Sequence, residues 1–212
     1  SLKARAEANE AFGAELKKGK KADAQRGYEI ACKEWMDVRS FGQVFAFKGS
    51  ELSLGIRGPV SVQPAFSVDP IDITSMQITK SVNSEDKEGK SSDTMGMKHR
   101  VDFGVYILKG SINVQLSEKT GFTEEDAEKI KEAIRTLFVN DSSSARPDGS
   151  MVMHKLYWWK HNCKIGQYSS HKVHNSIEIK KKEGVRNPRK IEDYEIICHE
   201  LPELAVEEYE GL

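Results

Sequence analysis

The chain has 212 residues, a length that suits one domain or one domain carrying an insertion. Hydrophobic residues make up 38% of it and charged residues 31%, a balance that excludes a wholly disordered protein. No apolar run approaches the roughly 18 residues of a membrane helix, and the mixed charges of residues 1–15 are not those of a secretory signal. Three scattered cysteines make no disulfide framework and suit a reducing compartment. We therefore expect a cytoplasmic protein without a membrane segment.

Two helices are predicted at the start of the chain. Residues 4–18 are rich in Ala, Glu and Lys, which are strong helix formers, and Gly19 is placed to end the helix. Residues 22–37 carry an apolar stripe that includes Trp35. The sequence therefore begins with a helical segment.

Short runs of alternating or β-branched apolar residues predict strands in the rest of the chain. In chain order these predicted strands are residues 44–47, 60–68, 71–82, 101–108, 112–116, 151–159, 176–182 and 195–198. Pro59 and Pro64 restrict the second of them to an edge, a strand start or a bulge, because proline cannot donate to a ladder. The polar stretches 83–93 and 141–149 are predicted to be loops.

A third helix is predicted over residues 124–139. Thr123 is a good N-cap, and Asp126 stands where a capping box places its acidic residue. The order of strands and helices favours an α+β fold with an antiparallel, ferredoxin-like or RNA-recognition-like sheet. In that fold the helices cover one face of the sheet, and RNA usually binds to the other face.

Charge is segregated along the chain, although the whole chain has a net charge of only −1. Residues 151–190 hold ten basic residues against two acidic ones, a net charge of +8, whereas residues 191–212 hold eight acids and no Lys or Arg. Aromatic residues lie among the basic ones and could stack on bases while the cations attract phosphates. The alternative is a solvated charged face with those aromatic rings in the core.

Four blocks of sequence, in this order, resemble one protein family. The blocks are DVRSFGQVFAF (37–47), GIRGPVSVQPAFSVDPI (55–71), TMGMKHRVDFGVYILKGSIN (94–113) and FVNDSSSARPDGSM (138–151). They are similar to the backbone subunit of the type I CRISPR Cascade complex, and to its I-C branch most. The resemblance implies an RNA-recognition-like palm, a helical segment and an extended β-hairpin called the thumb. It also implies a non-catalytic subunit without a cofactor.

The same resemblance implies the partners of the chain. They are CRISPR RNA, target DNA through the guide, other copies of the chain and other Cascade subunits. The family begins with a palm strand, an Asn/Gly-rich loop and a basic helix, and nothing like them precedes Ser1. We therefore expect a chain that lacks its N-terminal portion and the first palm strand. The expected domains are a helical segment, 1–40, and a palm, 41–212, with the thumb at about 69–100.

Two arginines in these blocks are candidates for RNA contact. Arg39 is expected in a turn after a helix and Arg57 just before a strand, and a guanidinium can bind phosphate in a bidentate manner or stack on a base. A structural ion pair, such as Asp37 with Arg39, is the alternative. Gly55 and Gly58 could let backbone amides approach a phosphate, or could equally serve turns.

The other RNA-binding candidates lie in or near the expected thumb. They are Gln63, Met76, Lys80, Met95, Met97, Lys98, His99 and Arg100. Unbranched methionines suit wedging between unstacked bases, and the cations can neutralise phosphates. The alternative is a surface loop whose methionines pack on the domain.

Histidines allow two further hypotheses. His161, Cys163, His171 and His174 are possible zinc ligands, although their spacing matches no strong zinc motif. His171, Lys172 and His174 could instead form the site of a metal-free CRISPR endoribonuclease, with a histidine as general base and a lysine stabilising charge. The family resemblance favours binding over either hypothesis.

Overall fold

The computed structural model describes residues 1–21, 23–79 and 95–212. Helices and antiparallel strands are mixed in this part of the chain, which confirms the predicted α+β class. The helices are α1 (Leu2–Ala8), α2 (Glu10–Lys17), α3 (Ala24–Glu34), α4 (Met36–Phe41), α5 (Val114–Thr120), α6 (Glu124–Arg135) and α7 (Ser170–His174). The strands are β1 (Gly42–Ala46), β2 (Ser53–Arg57), β3 (Val60–Val62), β4 (Phe66–Ser67), β5 (Ile73–Thr79), β6 (Met95–Val101), β7 (Tyr106–Ile107), β8 (Gly110–Ile112), β9 (Lys155–Trp159), β10 (Ile177–Lys181), β11 (Tyr194–Cys198) and β12 (Val206–Glu210).

The described residues form two compact units. The first unit holds residues 1–62, 110–173 and 200–212, and the second holds residues 63–109 and 174–199. The predicted boundary after residue 40 does not separate these units, because the N-terminal helices share one core with β1 and β2. None of the described helices combines the length and the apolar composition that crossing a membrane requires.

Each strand in the described residues pairs with a single antiparallel partner. The pairs are β1–β2, β3–β8 and β9–β12 in the first unit, and β4–β7, β5–β6 and β10–β11 in the second. Within the described residues these pairings join no more than two strands at a time, so the predicted palm sheet is not confirmed.

The first predicted helix is two helices. Asn9 has an extended backbone, and its side chain accepts a hydrogen bond from the Phe12 amide at 2.9 Å, which caps α2. Asparagine is among the best N-cap residues because its short side chain satisfies an amide that has no partner inside the helix. The break turns α2 so that the Phe12 ring is fully buried.

The second predicted helix is also divided, at Trp35. This residue is extended between α3 and α4, and its ring is buried against Phe12 and Phe45, with centroids 5.1 and 5.8 Å apart. The three rings form the centre of the core of the first unit. Burial of large aromatic surfaces contributes more than continuing a helix through one residue, so packing overrides local propensity here.

The sequence patterns did not predict strand β2, although this strand completes the core. Leu54 and Ile56 are buried while the alternate residues of the strand are exposed, as expected for a strand with one solvated face. Two glycines bring the start of β1 against the end of β2. A Cβ on Gly58 would lie 2.2 Å from the Ser40 carbonyl oxygen, and a Cβ on Gly42, which has φ 81°, would lie 2.2 Å from the Ile56 carbonyl oxygen.

The predicted strand 112–116 is wrong, because a helix begins within it. The side chain of Asn113 accepts a hydrogen bond from the Leu116 amide at 2.9 Å and starts α5. The third predicted helix is confirmed as α6, with the capping box formed by Thr123 and Asp126, but it ends at Arg135 rather than at residue 139.

The acidic C-terminal segment is part of the first unit. Strand β12 pairs with β9, where Lys155 forms ion pairs with Glu208 and Glu210. Lys131 of α6 is buried and bonds to Glu207 at 2.8 Å. Charges that are segregated along the sequence therefore partly neutralise one another within the fold.

The second unit is built on a long hairpin with two irregularities. The Gln63 amide bonds to the Lys109 carbonyl, and the next pair is Phe66 with Ile107, so two residues on the outgoing strand face one on the returning strand. Between the Ser67–Tyr106 pair and the Ile73–Val101 pair, the outgoing strand contains five residues and the returning strand four. Pro64 and Pro70 lie in these irregular stretches, and a bulge is one of the three possibilities that the sequence left open at Pro64.

The irregular stretches also change two predicted strands. The run 60–68 is divided into β3 and β4, and the Phe66 side chain is 69% exposed rather than half-buried. The predicted strand 101–108 is interrupted, because β6 ends at Val101 and the chain returns to a strand at Tyr106 and Ile107 of β7. The predicted strands 151–159, 176–182 and 195–198 are confirmed in shortened or shifted form as β9, β10 and β11.

We predict opposite effects for alanine at two glycines of this core. Gly58→Ala should lower the free energy of unfolding by about 3 kcal/mol or more, because the new methyl group would meet backbone atoms that cannot move aside. Urea titration followed by tryptophan fluorescence measures this effect.

Gly55→Ala is the matched control, because a Cβ at Gly55 of β2 meets no atom within 4 Å. It should change the free energy of unfolding by no more than about 1 kcal/mol, in the stabilising direction. Equal losses for both variants would contradict the close backbone contact.

Candidate nucleic-acid interface

Arg39 lies within α4 rather than in a turn, and its guanidinium is used inside the first unit. It donates from Nε and Nη2 to the two carboxylate oxygens of Asp126, at 2.8 and 2.6 Å. The Asp126 side chain is 1% exposed and the Arg39 side chain 19%. The alternative partner, Asp37, pairs instead with Arg5 at 2.5 Å. The geometry thus favours a structural role for Arg39 over direct RNA contact.

Asp126 is held ionised by three neighbouring groups. The hydrogen bonds from Arg39 outweigh the effect of burial, and with those from Thr123 they lower the pKa of Asp126 from 3.8 to about 2. The same carboxylate accepts the Thr123 amide at 3.0 Å, which completes the capping box of α6. One buried side chain therefore joins α4 to the first turn of α6.

Arg57 is exposed at the edge of an open groove of about 420 Å³ in the first unit. Ser61 and Ser111, which face each other in the β3–β8 pair, line the groove with it. Within the described residues Arg57 forms no ion pair. A guanidinium beside two hydroxyl groups can bind an anionic oxygen, so this groove suits a phosphate. Gly58 serves backbone packing here, as described above.

Six of the predicted candidates lie in the β5–β6 hairpin: Met76, Met95, Met97, Lys98, His99 and Arg100. The register of the hairpin pairs Ile73 with Val101, Ser75 with His99, Gln77 with Met97 and Thr79 with Met95. Residues that face each other in an antiparallel pair project to the same side. We call this side the methionine face: Ile73, Ser75, Gln77, Thr79, Met95, Met97, His99 and Val101. The other side, the basic face, holds Thr74, Met76, Ile78, Gly96, Lys98 and Arg100.

The predicted RNA-binding residues are therefore divided between two surfaces. Met95, Met97 and His99 share the methionine face, whereas Met76, Lys98 and Arg100 share the basic face. The Met95 and Met97 side chains are 65% and 57% exposed, so they do not pack on the domain as the alternative supposed.

Contacts on each face agree with this register. Ser75 Oγ lies 2.8 Å from His99 Nδ1 on the methionine face. On the basic face side, Asp102 accepts hydrogen bonds from Thr74 at 2.9 Å and from Arg100 at 2.7 Å. Each face is thus a separate chemical surface, one largely neutral and one cationic.

Two candidates remain. Gln63 belongs to neither face, and Lys80 is not among the described residues. The Gln63 side chain is exposed beside the first irregular stretch of the long hairpin. Lys80 and the predicted loop 83–93 lie outside the described residues.

The histidines do not assemble the predicted zinc site. In the described ranges no group of three or more His, Cys, Asp or Glu side chains is placed to hold a metal ion. His161 Nδ1 instead accepts the Gln167 amide at 3.0 Å and shapes its loop. In α7, Lys172 Nζ lies 4.2 Å from the centre of the Tyr168 ring.

The basic segment 151–190 does not form one continuous cationic surface in the described residues. Lys155, Lys160 and Lys164 have carboxylate partners within the first unit, and the Tyr157 and Trp159 rings stack on each other at 6.2 Å. Further along, between β10 and β11, Lys182 and Arg186 are exposed and form no ion pair within the described residues. The triplet of lysines at 180–182, followed by further basic residues, was the signal that could have located them.

Comparison with known proteins agrees with the resemblance drawn from the sequence blocks. The family model described as CRISPR-associated protein Cas7 matches residues 2–199. The chain belongs to the Cas7 family. None of the curated proteins compared with this Cas7 chain matches it.

One solved structure similar to this Cas7 chain is described as "CRISPR RNA-guided surveillance complex, pre-nicking". The two are 21% identical over 64% of this chain, with a TM-score of 0.39. The match spans 37% of the other chain, little more than a third of its length.

We predict that Asp126→Asn destabilises the first unit by about 3 kcal/mol, because it leaves the Arg39 guanidinium buried without a carboxylate. The wild-type protein should also lose stability as the pH falls from about 4 to about 2, where Asp126 becomes protonated. That loss amounts to about 2 kcal/mol and should be missing in the variant. Urea titrations at several pH values measure both effects.

Asp141→Asn is the matched control, since Asp141 forms an exposed pair with Arg146 at 3.0 Å. It should cost less than about 1 kcal/mol. A similar pH profile for the Asp126 variant and the wild type would refute the role assigned to this carboxylate.

Proposed function

We propose that this Cas7 chain is a CRISPR RNA-binding, self-assembling backbone subunit of a type I Cascade complex, of the I-C branch. The family match over residues 2–199 carries the proposal. The four sequence blocks quoted above support the choice of branch. In this proposal its partners are CRISPR RNA, target DNA through the guide, other copies of the chain and other Cascade subunits.

The exposed β5–β6 hairpin supports RNA binding by its composition. It acts as the thumb in this proposal, and the rest of the chain contributes to the RNA-recognition-like palm that the family resemblance implies. An isolated two-stranded hairpin is only marginally stable in water, and this one exposes apolar side chains on both faces. Contact with RNA or with a neighbouring copy would cover them. The Arg57 groove provides a separate site for a phosphate.

Binding of labelled repeat-spacer RNA at a series of salt concentrations tests the proposal. Affinity should fall steeply with salt, because each neutralised phosphate releases counterions. Arg57→Ala should reduce the slope of log affinity against log salt by about 0.7, the amount expected for one phosphate contact on a single strand.

Arg146→Ala is the matched control, because this arginine is exposed and pairs only with Asp141 in the described residues. It should leave the slope unchanged. A wild-type affinity that does not vary with salt, or equal slopes for the Arg57 variant and the wild type, would refute the corresponding part of the proposal.

We also expect the chain to be non-catalytic. Repeat RNA incubated with the protein in EDTA should stay intact on a denaturing gel. Cleavage that disappears in His171→Ala would instead favour the metal-free endoribonuclease hypothesis, in which the His171 imidazole is the general base.

A further inference from the structure

The loop between β10 and β11 presents cations in an ordered conformation. We call residues 182–190 the basic loop; it holds Lys182, Arg186, Arg189 and Lys190 against one acid, Glu183. The Lys182 amide bonds to the Asp193 carbonyl at 2.9 Å, and the Val185 amide bonds to the Lys182 carbonyl at 3.1 Å. Backbone hydrogen bonds at both ends thus fix its course without using the charged side chains.

Within the described residues the Asp193 carboxylate forms no ion pair with these side chains and bonds instead to the backbone of the loop. Asp193 Oδ2 accepts the backbone amides of Arg189 and Lys190, at 2.7 and 3.2 Å. Lys182 and Arg186 are exposed, and within the described part of the chain they form no ion pair. The basic loop therefore has cationic groups available for a ligand with negative charge.

The basic loop meets the base of the β5–β6 hairpin inside the second unit. Arg189 Nη2 lies 3.9 Å from Asp72 Oδ2, immediately before β5. Hydrogen bonds from Thr74 and Arg100 lower the pKa of Asp102, and the nearby Arg189 adds to this effect. Arg100 thus bonds to Asp102 on the hairpin side, while Arg189 lies beside Asp72 at the start of the same hairpin.

Two further contacts hold the elements together. The Tyr194 hydroxyl, at the start of β11, donates to Asp69 Oδ2 at 2.8 Å, and Lys181 lies 3.2 Å from the other oxygen of Asp69. Burial and this hydrogen bond raise the pKa of Tyr194 to about 12, so the hydroxyl stays a donor. The basic loop is thereby attached beside the hairpin that carries Lys98 and Arg100.

We propose that the basic face of the β5–β6 hairpin and the basic loop form one binding surface for the phosphodiester backbone of a nucleic-acid strand. This inference rests on the proposed function and adds Lys182, Arg186 and Arg189 to its site. The strand is either the guide RNA or the DNA strand that pairs with it, since both have the same backbone chemistry. The methionine face takes no part in phosphate binding.

The spacing and type of the cations fit a flexible polyanion. Lys98 and Arg100 stand two residues apart on one face of a strand, about 7 Å from each other. The arginines next to Asp72 and Asp102 are exposed, and such pairs contribute little stability in water. Their guanidinium groups can therefore exchange a carboxylate for a phosphate at low cost.

The double variant Lys182→Glu/Arg186→Glu tests the surface in the full chain. Lys33→Glu/Lys48→Glu is the matched control, with the same change in charge at exposed lysines of the first unit. Two affinities are measured against salt: that for labelled repeat-spacer RNA, and that of the RNA-loaded protein for complementary single-stranded DNA. Circular dichroism checks that each variant is folded. If the charge-reversed loop variant does not fold, the milder double variant Lys182→Gln/Arg186→Gln is used in its place.

We expect one of the two affinities to fall at least about tenfold in the loop variant, with a salt slope reduced by about 1.4, while the control variant keeps both. Loss of RNA affinity identifies the guide as the ligand, and loss of DNA affinity alone identifies the paired strand. Lys98→Gln should lower the same slope, and Met97→Gln should not.

Wild-type RNA binding with unchanged affinities in the loop variant would overturn this inference alone. A loop variant that binds both strands normally but no longer self-associates would overturn it too, and would assign the basic loop to a protein interface. A wild-type chain that binds no repeat-spacer RNA would overturn the proposed function together with this inference.

Discussion

The first unit depends on one buried ion pair, between Arg39 of α4 and Asp126 of α6. Removing two charges from water is costly, and close geometry together with additional hydrogen bonds offsets that cost. Asp126 has both, because it accepts two bonds from Arg39 and one from the Thr123 amide. On one side of the pair, α4 leads from the aromatic core into β1. On the other, α6 carries the buried Lys131, which holds the C-terminal strand through Glu207.

The elements that the sequence predicted correctly are those for which several local signals point to the same structure. Helix α6 has a capping box, a charged first turn and an apolar face, and it was found with its first residue correct. The misses share a cause. Asn9 and Asn113 lie in runs that look continuous, yet their side chains cap new helices and so divide the runs. Trp35 interrupts a predicted helix because its ring packs against the rings of Phe12 and Phe45, which are distant in sequence. Local helix propensity carries no information about such contacts.

The sequence predicted which types of residue the candidate site contains, but not how those residues are arranged in space. Arg39 was a candidate for RNA contact with an ion pair as the alternative, and its actual partner, Asp126, lies 87 positions away, beyond the reach of any local pattern. The hairpin candidates are neighbours in sequence, but strand register places them on two faces, and register follows from pairing rather than composition. The charge blocks were real, yet Lys155, Lys160 and Lys164 of the basic block already have acidic partners in the fold. In the part of that block that the structure describes, the basic loop retains unpaired cations at Lys182 and Arg186.

The two stretches of the long hairpin in which one strand has an extra residue have a consequence for comparing Cas7 chains. An extra residue bends its strand and adds to the local twist. The number of residues around Pro64 and Pro70 thus helps to set the direction in which the basic face points, whatever side chains it carries. A relative with the same cations but one residue fewer between positions 68 and 72 would present them along another path. Insertions and deletions in these stretches are therefore as informative about the position of this cationic surface as substitutions of the basic residues themselves.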